Sequence, residues 1–531
     1  MMDHRMKHPL ALCVAAALAT LAAVPASAQA PATEAAPPPA PARFTLTRVQ
    51  FPDTTAVPPE ALQRAVAPFI GKEISSAELG PIATAVRQEY EARGLSLAGI
   101  AFPSQNLAGG VLLVAISEPR IARLIVENPE QPPITDDRTR AVLERNGVAA
   151  GQPLDLRQLD RAMYTLNDWP GVKAKATLTP TGDENAYSVA VVTERGRSWD
   201  ASVDADNHGT EVSGKYRIGG LVRWNNPLGI GDNLDLRLVA SQGSGNLVGR
   251  IGYEAPLGPT PWRAGVGYSR VNYELGGTFD GAVGTADVVD ASLSYPLVRS
   301  RDLNVVGRLS AEHKTLNDEF FVESSKKRIT AATAQVSVES RDALWGGGYN
   351  GGFAGVSFGR LRSEATSAAS VDTTALGGYT KVTGQITRLQ SLRQKFSLYA
   401  GLAGQWASQN LDNAEKMTLG GARGVRSYPA AEAPSDLGVI FNGEVRWWVN
   451  PQWSTFLFHD VGHGRARKEP GASIDDNTRT LHGTGLGLQY TNAELFTLKA
   501  TLGVRGKSEP VLSDTDDTGR SLLLVQIQHS F

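Results

Sequence analysis

His459-Asp460-x-x-His463 is the densest run of side chains able to bind a metal or move a proton. On a helix, two histidines four apart share a face and can hold one ion, but Gly462 and Gly464 argue against a helix here. On a strand the imidazoles stand about 13 Å apart with Asp460 on the opposite face, so they cannot chelate one metal. Asp514-x-Asp516-x-Thr518-Gly519 has the form of the start of a calcium loop, yet its twelfth position is Val525, where a bidentate Glu is needed. It reads as a solvated acidic loop. No nucleophile elbow, phosphate loop or other enzyme signature is found, so the expectation is a non-enzyme without metal or cofactor. There remains Val425-Arg426-Ser427-Tyr428, downstream of Leu419-Gly420-Gly421. Taken alone, an Arg in such a Gly-rich stretch is a solvated hairpin residue.

The elements that position these residues are set by the rest of the chain. Its 531 residues call for more than one domain. With 52 Lys+Arg against 54 Asp+Glu and no basic blocks, it lacks the positive face that nucleic-acid binding requires. Hydrophobic residues make up 41% and charged ones 20%, but no interior run approaches the ~18 apolar residues of a membrane helix.

Residues 1–28 read as a secretory signal peptide: Arg5 and Lys7, an apolar core from Leu10 to Val24, then the small residues Ala26-Ser27-Ala28. The single Cys13 leaves with it, so the mature chain forms no disulfide. Residues 29–42, with Pro37-Pro38-Pro39, form an extended leader, too short and Pro-rich for a helix that could plug a pore.

Two consecutive β-α-α-β-β units follow, at 43–118 and 119–196. In the first, Leu62 and Val66 lie one turn apart, Ser75 with Glu78 has the form of a capping box, and Leu79, Ile82, Val86 and Tyr90 make an apolar stripe that Gly94 ends. In the second, a short helix is expected from Thr139 to Arg145 and another from an Asp155 cap until Pro170 stops it. The recurrence implies two small α+β domains of one kind.

From Arg197 to the last residue the apolar period becomes two, as in Leu234-Asp235-Leu236-Arg237-Leu238. A soluble sandwich shows such alternation as well. The secretory signal, aromatics near strand ends (Trp224, Tyr253, Trp262, Tyr268 and Trp406) and an alternating last strand ending in Phe531 favour an outer-membrane barrel. Residues 197–531, at roughly 20 per strand and turn, allow about 16 strands.

Two such repeats before a large barrel resemble the two-partner-secretion transporters, the TpsB family of haemolysin secretion/activation proteins, whose repeats are called POTRA domains. Pro103-x-Gln105-Asn106-Leu107 resembles the family's proline-x-glutamine turn. Leu166-Asn167-Asp168-Trp169-Pro170-Gly171-Val172 resembles its helix-ending motif, and Asp206-Asn207-x-Gly209 with Gly231-Asp232 its barrel opening. The most specific match is Leu419 to Tyr428, similar to the V-R-G-Y motif at the tip of a loop folded into the lumen, with Ser427 where the family has Gly. Because Gly tolerates positive φ far better than Ser, that exchange bears on the loop tip. Asp436-x-Gly438, Asn442, Glu444 and Phe458-His459-Asp460-x-Gly462 follow as in the family, and the resemblance pairs Arg426 with Asp460. That pair is expected to be only partly desolvated in a polar lumen.

The resemblance implies an outer-membrane translocator of two-partner (type Vb) secretion: an antiparallel β-barrel of about 16 strands preceded by two periplasmic POTRA domains. Its expected partners are an unfolded TpsA-like exoprotein, outer-membrane lipids and the barrel-assembly machinery during biogenesis. The alternatives are a barrel-assembly insertase of the same superfamily, which usually carries more POTRA repeats, and a passive porin, which needs none.

Overall fold

The computed structural model describes residues 43–531 apart from 53, 76–77, 184, 244–245, 277–280, 321–322, 365–371, 394, 472–476, 493, 507–509 and 514–518. The signal peptide, the leader and Asp514, Asp516 and Thr518 of the acidic loop lie outside the described residues.

The first unit closes around Leu46, Leu62, Val66, Ile82, Val86, Tyr90 and Leu112, all fully buried. Its helices are Pro59–Val66, with Pro in the first turn where the missing N–H costs nothing, and Gly80–Glu91. The helix expected behind Ser75 starts at Gly80 instead. Ser75 ends the strand Glu73–Ser75, and its amide donates to the Glu78 carboxylate at 2.8 Å. Three short ladders replace a continuous sheet: Arg43–Thr45 with Glu73–Ser75, Arg48–Gln50 parallel to Val111–Leu113, and Gly99–Ala101 with Ala115–Ser117.

The second unit has a three-stranded sheet, in which Ala186–Arg195 pairs parallel with Arg120–Val126 and antiparallel with Val172–Pro180. The helix expected from Thr139 begins earlier, as Asp136–Arg145, because the Thr135 hydroxyl caps the Arg138 amide. Asp155 caps the next, Leu156–Asn167, accepting from the amides of Arg157 and Gln158.

Sixteen antiparallel strands, from Trp199–Asp206 to Ser521–Ser530, then close into a barrel. The closing ladder pairs Ser202–Asp206 with Gln526–Ser530. Alternation sends Leu236 and Leu238 outward and Arg237 inward, giving an apolar outside and a polar lumen. Aromatic pairs mark the rim on the side where the chain enters: Trp199 with Trp224, Trp262 with Tyr295, and Trp453 with Tyr490. The second repeat is docked to this rim. Trp169 packs so closely on Gly231 that any side chain there would overlap its ring, Asn226 donates to the Pro133 carbonyl at 2.6 Å, and Arg299 forks onto the Asp168 carboxylate while lying over Tyr164.

Candidate functional site: a luminal loop and its anchors

Strands Phe396–Ala407 and Leu437–Trp448 are joined on the far side of the barrel by residues 408–436, which fold back inside. The loop carries its own backbone bonds. Val425 donates to Leu419, Gly421 to Tyr428 and Tyr428 to Val425, while Met417–Thr418 pairs with Pro434–Ser435. Gly421 turns the chain at φ +98°, a conformation that favours glycine. Leu419, Val425 and Tyr428 are fully buried against Ile440 and Leu481 of the wall. Burial of an aliphatic side chain of this kind contributes about 1.5–3 kcal/mol.

Arg426 lies at the centre. Its Nε and Nη2 donate to the two Asp460 oxygens at 2.8 and 2.7 Å, and its backbone amide also donates to Asp460 Oδ2 at 3.1 Å. Nη1 donates to Glu444, which accepts in turn from Arg446 Nε at 2.6 Å. Asn442 donates both to Asp460 and to the Gly424 carbonyl, tying the wall to the loop backbone. The guanidinium lies 3.9 Å from the Phe458 ring centroid, a cation–π contact. Two guanidiniums and two carboxylates thus balance in a dry cluster.

The expectation of a partly desolvated pair is corrected: Arg426 is 4% exposed and Asp460 0%. Phe456 and Phe458, both buried, lie against the guanidinium. Glu444 is a second carboxylate of the anchor. The sequence placed it in a motif without showing that it faces Arg426, since that depends on the register of two wall strands and on the fold of the loop.

Ser427 does not require glycine's freedom, because its φ is not among the positive ones. It is fully buried, and its hydroxyl has no hydrogen-bond partner among the described residues. The wall makes room for it instead. A Cβ at Gly483 would strike its Oγ, and one at Gly503 would lie 3.0 Å from its Cα. Gly462 similarly admits Val425, and Gly464 admits Ser435.

The loop stem is held by charges of the opposite sense. Glu415 accepts from Lys314 and Lys381, and Asp412 from Lys327, all on wall strands. Glu432, fully buried, accepts from Arg479 and from the amides of Leu512 and Ser513. None of these stem anchors was singled out from the sequence.

His459 and His463 point out of the barrel, bonded to Thr484 and Thr480. Among the described residues no group of three metal-ligating side chains converges. In the repeats, Gln105 folds its amide onto Leu113, donating to its carbonyl at 2.8 Å and accepting from its N–H at 2.6 Å, and it also donates to the Pro103 carbonyl at 3.2 Å. Asn167 pairs with Ala174 in the same manner.

Barrel, periplasmic repeats and anchored loop define a class, the outer-membrane transporters with POTRA domains. The chain belongs to the family described as haemolysin secretion/activation protein ShlB/FhaC/HecB, matched over residues 186–490, and residues 44–118 match the ShlB-type POTRA domain. It is therefore an outer-membrane transporter of two-partner secretion, its POTRA domains in the periplasm. Similar proteins include the heme/hemopexin transporter protein HuxB of Haemophilus influenzae, 24% identical, with 87% of this chain and 83% of HuxB covered. The outer membrane transporter CdiB of Dickeya dadantii is 24% identical, with 84% and 80% covered. Among solved structures, CdiB from Escherichia coli shares the fold with a TM-score of 0.72 at 19% identity, covering 94% of this chain and 93% of that one.

Proposed function

We propose that the POTRA domains capture one unfolded exoprotein in the periplasm and that the barrel lumen conducts it to the surface, with the loop as the movable element of the pore. The observation that carries this reading is the buried Arg426–Asp460–Glu444 cluster, which joins the tip of the loop to one wall of the lumen. Asp460 takes a bidentate guanidinium, a contact specific in direction and lost as a unit when the loop moves. Capture would add the extended exoprotein to a free sheet edge, for which Val172–Pro180, an edge strand beyond Ala174, is available. Outward leucines would contact outer-membrane lipids, and the barrel-assembly machinery would insert the chain. With no nucleotide in the periplasm, folding of the exoprotein outside would drive transport.

The test is deletion of residues 43–118 in the presence of the cognate exoprotein. A heat-modifiable barrel that secretes nothing is expected. Undiminished secretion would remove the capture role from the first POTRA domain.

A further inference from the structure

Between the loop tip and the first barrel strands lies a cavity of about 610 Å³ that the anchor does not fill. Its charged lining is Asp204, Asp206, Arg217, Arg237, Arg423 and Lys499. Asp206 and Arg217 neutralise each other through two parallel bonds, Nε to Oδ1 at 2.8 Å and Nη2 to Oδ2 at 3.1 Å. Arg426 reaches the cavity too, but its charge is already matched by Asp460 and Glu444. What is left is Asp204 against Arg237, Arg423 and Lys499, and none of these three cations forms an ion pair among the described residues. Arg237 and Arg423 are also exposed to the lumen, so their guanidiniums are open to a ligand.

The cations come from three separate elements: the strand Asn233–Ser241, the loop tip, and the strand Thr497–Arg505. Several other basic side chains of the barrel do meet carboxylates, as Arg250 meets Asp290 and Arg263 meets Glu254. A surplus of like charge inside low-dielectric walls focuses a positive potential and concentrates anions. Resting on the conduction reading above, we propose that this cavity is a luminal site for anionic groups, either small anions or the carboxylate side chains of a passing polypeptide, and that it makes the pore anion-preferring.

The experiment uses the full chain in planar bilayers under a steep KCl gradient, reading the zero-current potential. The expected result is a chloride preference that R237E and R423E each reduce about two- to fivefold and R237K preserves. A preference for potassium in the unsubstituted protein, or a ratio that neither substitution moves, overturns the proposal. Polyglutamate and polylysine of equal length are then applied from the POTRA side. Block by polyglutamate alone places carboxylate side chains in the site, chloride preference without block assigns it to small anions, and block by polylysine alone contradicts it. Absence of any current would count against conduction itself. The site is then read in detergent, where pyrophosphate should raise the heat-modification temperature of the unsubstituted protein and not of R237E, and no shift would overturn the site.

Discussion

The luminal loop and the periplasmic repeats are held by different chemistry. The loop adds ion clusters to a small apolar contact, with Arg426 between two carboxylates at the tip and Glu415 between two lysines at the stem. The repeats are fixed by apolar cores and by side-chain amides that imitate a neighbouring strand, Gln105 on Leu113 and Asn167 on Ala174. An amide satisfying a backbone N–H and C=O belongs to a permanent sheet edge. An ion cluster on a glycine-lined wall joins two surfaces that can part, and it is costly to leave half made. Substitutions in the loop should therefore impair transport while the protein still assembles, and substitutions in the repeats should lower domain stability first.

The largest effect should come from filling the wall. Gly503→Val or Gly483→Leu places a side chain where Ser427 sits, so the loop should be expelled and secretion should fall at least ~10-fold, while the folded barrel remains detectable by heat modification. Gly378→Ala, whose Cβ would meet its nearest atom only at 3.8 Å, should leave both readouts unchanged.

On the repeat side, Gln105→Ala leaves the Leu113 N–H and C=O without that partner and should destabilise the first repeat by about 1–3 kcal/mol. Gln105→Glu should not rescue it, because a carboxylate cannot donate to the carbonyl. Limited proteolysis within residues 43–118 would register both changes, and resistance equal to the unsubstituted protein would reduce the amide pairing to decoration.

The smallest effect is a pH dependence confined to the first repeat. Burial pushes the Glu118 pKa up, but hydrogen bonds from the Thr55 hydroxyl, the Thr55 and Ala56 amides and the Tyr90 hydroxyl outweigh it and hold the carboxyl below its usual value. A carboxyl whose pKa is lower folded than unfolded stabilises the fold above its unfolded pKa, and this is lost as pH falls through the folded value. Proteolytic resistance of the first repeat should thus decline below about pH 4.5, and Glu118→Gln should flatten that decline.

Most of the architecture could be read from the chain because it rests on periodicity. The change from a helical period to a period of two at Arg197 sets the boundary, and segment length sets the strand number. Arg426 and Asp460 became legible only through the resemblance, since an Arg beside glycines carries no chemical signal by itself. The contact of Glu444 with Arg426 and the fit of the wall glycines to the loop stayed hidden for a different reason. Gly483, Gly485 and Gly487 alternate in plain view, yet only the register of Gly483 opposite Arg505, with Gly503 two residues before it on the same wall, places both glycines beneath the loop tip. The breaks in the first repeat's sheet were likewise unreadable. Strands of three residues are too short to impose a period.

The most direct test of the anchored loop is a double-mutant cycle on Arg426 and Asp460, scored for secretion of the cognate exoprotein and for heat-modifiable barrel in the same cells. Arg426→Ala leaves buried Asp460 without its guanidinium, a loss of about 3–5 kcal/mol, and Asp460→Ala leaves Arg426 with Glu444 alone; each should abolish most secretion while the barrel persists. Arg426→Lys should fail as well, since one ammonium cannot serve both Asp460 oxygens and Glu444. The double alanine variant restores charge balance and should be no worse than Arg426→Ala alone. Losses that multiply in the double variant, or normal secretion by Arg426→Lys, would contradict a loop held by this cluster.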